Sequence, residues 1–142
     1  MKEIPKIINK IIFPQDKRLT ICNVALKYPS LEVSGFLIGQ YLDETIWINQ
    51  VLFGKRKGWR ERSFSLEANL LFEKKPTGIS RVISVFHAHP KGCLLPSFWD
   101  IKSMIITQIP WLIFKINGGK MISRGYIYDD GLIKKIPIRI HR

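Results

Sequence analysis

Apolar and polar positions alternate along the chain in segments that change period at its prolines and glycines. From Gln15 to Tyr28, Leu19, Cys22, Val24, Ala25 and Leu26 make a broad apolar side, with Asp16, Lys17, Arg18 and Lys27 mostly outside. That spacing predicts a helix, which Pro29 and Ser30 stop. Val33 to Gln40 is a mostly apolar strand containing Gly35 and Gly39, and a tight turn at Asp43-Glu44 leads to a second strand, Thr45 to Phe53. Gly54 to Arg62 is irregular and basic, and reads as a loop. Ser63 to Leu66 suits a short strand, and Glu67 to Lys75 a short helix ended by Pro76 and Gly78. Ile79 to His89 is a strand running into Pro90, followed by a loop from Lys91 to Pro96. Ser97 is placed to cap a helix from Phe98 to about Gln108, with Asp100 in its first turn. After Pro110 come a strand from Trp111 to Ile116 and a turn at Asn117-Gly118-Gly119. Met121 to Tyr128 and Lys134 to Ile140 then form a closing pair around Asp129-Asp130-Gly131. Ahead of Gln15, Ile7, Ile8, Ile11, Ile12 and Phe13 suit an edge strand or a dimer contact. The expected architecture is one α/β domain over residues 1–142, a mixed and mostly antiparallel sheet flanked by helices.

Composition narrows the function. The 142 residues suffice for a hydrophobic core without staples, and 46% are hydrophobic, which excludes a disordered chain. Cys22 and Cys93 are the only cysteines and form no CxxC pair, so a reduced, cytoplasmic setting is expected. The basic, apolar start lacks the long core and cleavage site of a signal peptide, and no apolar run is long enough to span a membrane. A formal charge of +12 favours acidic partners. Gly35 and Gly39 do not form a phosphate loop, and are read as places where strand packing leaves no room for a side chain.

The chemistry concentrates in His87-Ala88-His89-Pro90 and in Ser97 and Asp100 beyond it. Residues two apart on a strand share a face, so His87 and His89 can converge on one ion while Ala88 turns inward. The intervening loop is long enough to fold the next helix back, bringing Asp100 to the same place. Two nitrogens and one carboxylate oxygen with an open fourth position are what a catalytic zinc site requires. Cys93 lies between these ligands and reads as a bystander or groove residue, Cys22 as core, and His141 as solvent-exposed.

HAHP, six residues, then Ser-x-x-Asp resembles the zinc motif of the JAMM, or MPN-plus, metalloproteases. Glu32, opening Glu-Val-Ser-Gly-Phe-Leu-Ile-Gly, matches the family's upstream glutamate, and Pro29 its helix-ending proline. The resemblance extends from about Gln15 to the C-terminus. It implies a cytidine-deaminase-like fold and one zinc ion per chain held by His87, His89 and Asp100. It also implies Glu32 as general base and Ser97 supporting the tetrahedral intermediate. The implied reaction is zinc-dependent hydrolysis of peptide or isopeptide bonds that releases or trims ubiquitin or a ubiquitin-like protein. Zinc would lower the pKa of its bound water, whose proton a neighbouring carboxylate would accept.

The basic stretch Gly54 to Arg62, with Trp59 inside it, could grip an acidic protein or a nucleic acid, or could be a solvated loop. Lys91 could steer a carboxylate. The expected partner is ubiquitin or a ubiquitin-like protein and its conjugates, with no membrane partner and nucleic acid ranked low. The competing readings are a catalytically silent scaffold of the same fold and a zinc-containing nucleic-acid-binding protein.

Overall fold

The computed structural model describes residues 7–54, 81–89, 94–117 and 120–142. The expected strand at 63–66 and helix at 67–75 lie outside these residues, as do Lys91, Cys93, the Gly118-Gly119 turn and all but the first residue of the basic loop. In chain order the elements are β1 (Lys10–Pro14), α1 (Gln15–Lys27), β2 (Val33–Leu42), β3 (Thr45–Phe53), β4 (Arg81–His89), α2 (Phe98–Thr107), β5 (Trp111–Asn117), β6 (Lys120–Asp129), β7 (Leu132–Ile136) and β8 (Ile138–His141). No helix among the described residues is long and apolar enough to cross a membrane.

The eight strands of the described residues form one sheet in the order β7-β6-β5-β4-β2-β3-β1-β8. Its two ends are the last two strands of the chain, separated only by Pro137. Ile136 ends β7 on β6, and Ile138 begins β8 on β1, so the sheet must curl until its edges nearly meet. Across that seam a Cβ on Gly125 of β6 would stand 3.3 Å from Ile11 Cδ1 and 3.5 Å from Ile138 Cγ1. The result is a nearly closed eight-stranded barrel with two flanking helices among the described residues. This corrects the expected helix-flanked sheet of the deaminase-like type. It also corrects two local expectations. The apolar segment before Gln15 does not make an edge, because β1 pairs in parallel with both β3 and β8. The strand expected over 134–140 breaks at Pro137, which has no N–H to give to a ladder and whose carbonyl instead accepts from Ile11 N at 2.9 Å.

Aromatic rings fill the interior. Phe13 of β1, Phe114 of β5, Phe86 of β4 and Phe53 of β3 form a chain of edge-to-face contacts, with centroids 5.6, 6.1 and 5.8 Å apart. The strands β1 and β5 are far apart in the sheet order, so the Phe13–Phe114 contact spans the barrel. Curvature comes from β2, whose register shifts at Ile38/Gly39 against β3 and at Leu37/Ile38 against β4. The missing side chains at Gly35 and Gly39 make room for this. A Cβ at Gly35 would meet Leu52 O and the Phe86 ring, and one at Gly39 would meet Trp47 O and Ile83.

Gly39→Ala is therefore expected to cost more than about 2 kcal/mol, because the obstructing atom is backbone that cannot rotate away. Gly131→Ala, at φ +81 with nothing near a Cβ, is expected to cost about 1 kcal/mol from backbone conformation alone. Urea denaturation of both variants checks the ranking.

Candidate functional site

Three elements bring polar groups together at one end of the barrel. Glu32 immediately precedes β2, His87 lies near the end of β4, and Asp100 is in the first turn of α2. Ser34 pairs with His87 in the β2–β4 ladder, which sets Glu32 beside the end of β4. The parallel β4–β5 pair fixes the other side, with His87 opposite Ile113. The turn into β5 is held by Pro110 O, which accepts from Val85 N at 3.1 Å and from the buried Ser84 hydroxyl at 2.9 Å. Ahead of α2, Tyr126 donates its hydroxyl to Leu94 O at 2.7 Å and ties the loop down to β6.

Ser97 starts α2 as its N-cap. Its Oγ accepts from Asp100 N at 3.2 Å, while Asp100 Oδ2 accepts from Ser97 N at 2.8 Å, completing a capping box. Asp100 thus serves twice, because the same Oδ2 lies 3.2 Å from His87 Nε2. On the other side of the ring, Glu32 Oε1 lies 2.5 Å from His87 Nδ1. The imidazole is fully buried between two nearly buried carboxylates. Both contacts are ion pairs by distance, though the ring N–H directions stand out of line with the oxygens. Trp111, whose ring centroid is 6.0 Å away at 69°, walls the imidazole from the side.

The titration of this cluster follows from its charges. Burial opposes an imidazolium and lowers the His87 pKa, but Asp100 and Glu32 outweigh it and raise the value to about 9. Burial likewise pushes the Asp100 carboxyl upward, yet His87 and the two Ser97 contacts hold it below its usual value. The arrangement can carry a buried positive charge between two negative ones, and can store or release one proton.

The structure brings together Glu32, His87, Ser97 and Asp100. His89 is two residues beyond His87 on β4, and its side chain lies outside the described residues. Sequence reasoning did not single out Trp111, Tyr126 or Ser84. Only the position of Trp111 directly after Pro110 offered a signal. Cys22 is half-buried against the core, and His141 is exposed as expected.

Among the described residues no group of three or more His, Cys, Asp and Glu side chains is placed to hold a metal ion. At His87 one ring nitrogen lies 2.5 Å from Glu32 Oε1 and the other 3.2 Å from Asp100 Oδ2, and the side chain of His89 lies outside the described residues. No family model matches the chain, and no curated protein does. Among solved structures it is similar to the solution structure of protein DSY2949 from Desulfitobacterium hafniense. The identity is 16%, the coverage 92% of each chain and the TM-score 0.77. At that identity the likeness shows a shared fold and no more. Barrel architecture and the absence of family evidence overturn the assignment to the JAMM/MPN-plus metalloproteases. With no metal cluster among the described residues, they also overturn zinc-dependent peptide or isopeptide hydrolysis.

The charge cluster makes stability depend on pH. His87 has a folded pKa above its ordinary 6.5, so its contribution is complete below about pH 6.5 and is lost as pH rises through about 9. Asp100 is held down, so its contribution is present above its ordinary 3.8 and is lost as pH falls below that. Metal-free protein should therefore be most stable between those limits. The high-pH decline should flatten in His87→Gln, as measured by urea denaturation across the range. Ser97→Ala is expected to cost about 1 kcal/mol through loss of the cap, measured in the same way.

Proposed function

We propose that the Glu32–His87–Asp100 cluster is a binding site for one divalent transition-metal ion, zinc foremost, with His87, His89 and Asp100 as its ligands. The observation that supports this is the convergence of two carboxylates on one buried imidazole. With His87 protonated, the cluster keeps one more negative charge than positive, so the buried site favours a cation. A proton on His87 supplies one positive charge and a divalent ion supplies two. Binding requires His87 as a neutral imidazole with one ring nitrogen released from its carboxylate, so the ion replaces a proton. Glu32, which lies beside Nδ1 of the ring, would then fix the orientation of the liganding imidazole, as carboxylates beside metal-bound histidines do. The ion would join the end of β4 to the start of α2, and its role in this reading is to lock the open end of the barrel.

Equilibrium dialysis against zinc, followed by metal analysis, tests the reading. About one zinc per chain is expected, with release of about one proton near neutral pH. Affinity should fall at least about a hundredfold in His87→Ala and in Asp100→Ala. Zinc at a hundred times its Kd should raise unfolding free energy by about 2.7 kcal/mol. No retained zinc in folded protein, or equal affinity in folded His87→Ala, would overturn it.

A further inference from the structure

The helix that supplies Asp100 has a second, outward face that the site does not use. Asp100 and Met104 are buried on its inner side. Phe98, Trp99, Lys102, Ile105 and Ile106 are all exposed, with Phe98 at 65%, Trp99 at 60% and Ile106 at 81%. Their spacing of i, i+1, i+4, i+7 and i+8 places them on one stripe of a helix with 3.6 residues per turn. Leu95, just before the helix, is also exposed. Large apolar side chains gathered this way on a surface mark an interaction site, whereas scattered ones do not.

The stripe has a definite chemical character. The Phe98 and Trp99 rings meet edge to face at 5.7 Å. Lys102 lies over both, its ammonium 5.0 Å from one ring centroid and 5.4 Å from the other. A cation in the middle of an aromatic and aliphatic face, with its stem along the rings, can reach out to a phosphate while the rings enter an apolar layer. The whole chain carries a formal charge of +12, which attracts anionic surfaces over distance. The same charge opposes the pairing of two copies through this face. A convex helix face also suits a deformable surface better than a preformed groove.

We propose that the outward face of α2 is a peripheral docking surface for a membrane rich in anionic phospholipid. Phe98, Trp99, Ile105 and Ile106 enter the boundary between headgroups and acyl chains, and Lys102 engages the lipid phosphates. Docking of this kind needs no spanning helix. It is independent of any metal at the site, because the two faces of α2 are separate.

The test is co-sedimentation of the full chain with phosphatidylcholine vesicles containing about one third phosphatidylserine, beside pure phosphatidylcholine vesicles. Binding to the anionic vesicles alone is expected, with a blue shift in tryptophan emission. The double variant Phe98→Ser/Trp99→Ser should lose at least about tenfold in affinity, and Ile106→Ser severalfold. Both change exposed side chains, and circular dichroism confirms that each still folds. Absence of binding to anionic vesicles overturns the proposal. So does undiminished binding by the folded double variant, which would assign attraction to the general charge of the chain. A dimer in sedimentation equilibrium that Ile106→Ser dissolves also overturns it, by giving the face to a second copy.

Discussion

The structure depends on the filling of a barrel that the chain closes with its last two strands. A sheet whose two edge strands are joined through a single proline has no choice but to curl. Curling creates an interior that must be packed to the density of a solid, since an unfilled barrel forfeits dispersion contacts on every wall. The Phe13–Phe114–Phe86–Phe53 chain provides that filling from four strands. The bend in β2 and the bare backbone at Gly35 and Gly39 let the wall follow the rings. Neither works alone: rings without the bend would meet backbone, and the bend without rings would leave a void.

Once the barrel is packed, its ends are where polar chemistry can survive. His87 lies on the face of β4 opposite Phe86, and because both faces are covered there its ring cannot escape to water. A buried imidazolium is tolerated when opposite charges lie against it. The entry to β2 and the capped turn of α2 each supply a carboxylate for this. The Ser97 box matters here because it fixes Asp100 in the first turn with one oxygen shared between the helix N-terminus and the ring. A helix cap and a charge cluster are in this way one structure, and altering either disturbs the other.

Much of this was legible locally. The bounds read at 15–28, 45–53 and 98–108 match α1, β3 and α2 closely, because each is bounded by proline, a tight turn or a cap, but α1 buries Ile21 and Ala25 and leaves Leu19 and Leu26 of its expected apolar side exposed. Spacing and order suggested that His87 and Asp100 meet, with Ser97 as the helix cap, whereas Glu32 was added only by the family resemblance. What could not be read was closure. Parallel pairing of β1 with both β3 and β8 leaves no mark on the segment that carries it, since a run such as Ile11-Ile12-Phe13 suits an edge and an interior strand equally. Pro137 was the local clue: it splits an apparent strand in two and sends its halves to opposite ends of the sheet. The motif misled for a related reason. Five residues at suggestive spacing specify which side chains meet, but not whether two acids share an ion with a histidine or grip the histidine itself.

That distinction sets what the site can be. An imidazole with a carboxylate beside each nitrogen is held by charge, and its raised pKa reflects the demand of the two acids for a positive charge. A metal ion bound as proposed would compete with the proton for the same demand. At low pH the proton wins and locks the bridge. As pH rises toward about 9 the bridge loses its charge, and the two acids are left facing each other across a neutral ring. A cation that binds there gains most when the proton is leaving, so metal affinity and metal-free stability must move in opposite directions with pH. The charge on His87 therefore bears on the firmness of the barrel end, and α2, which carries Asp100 inward and an aromatic face outward, is the element that a change of that charge would reach first.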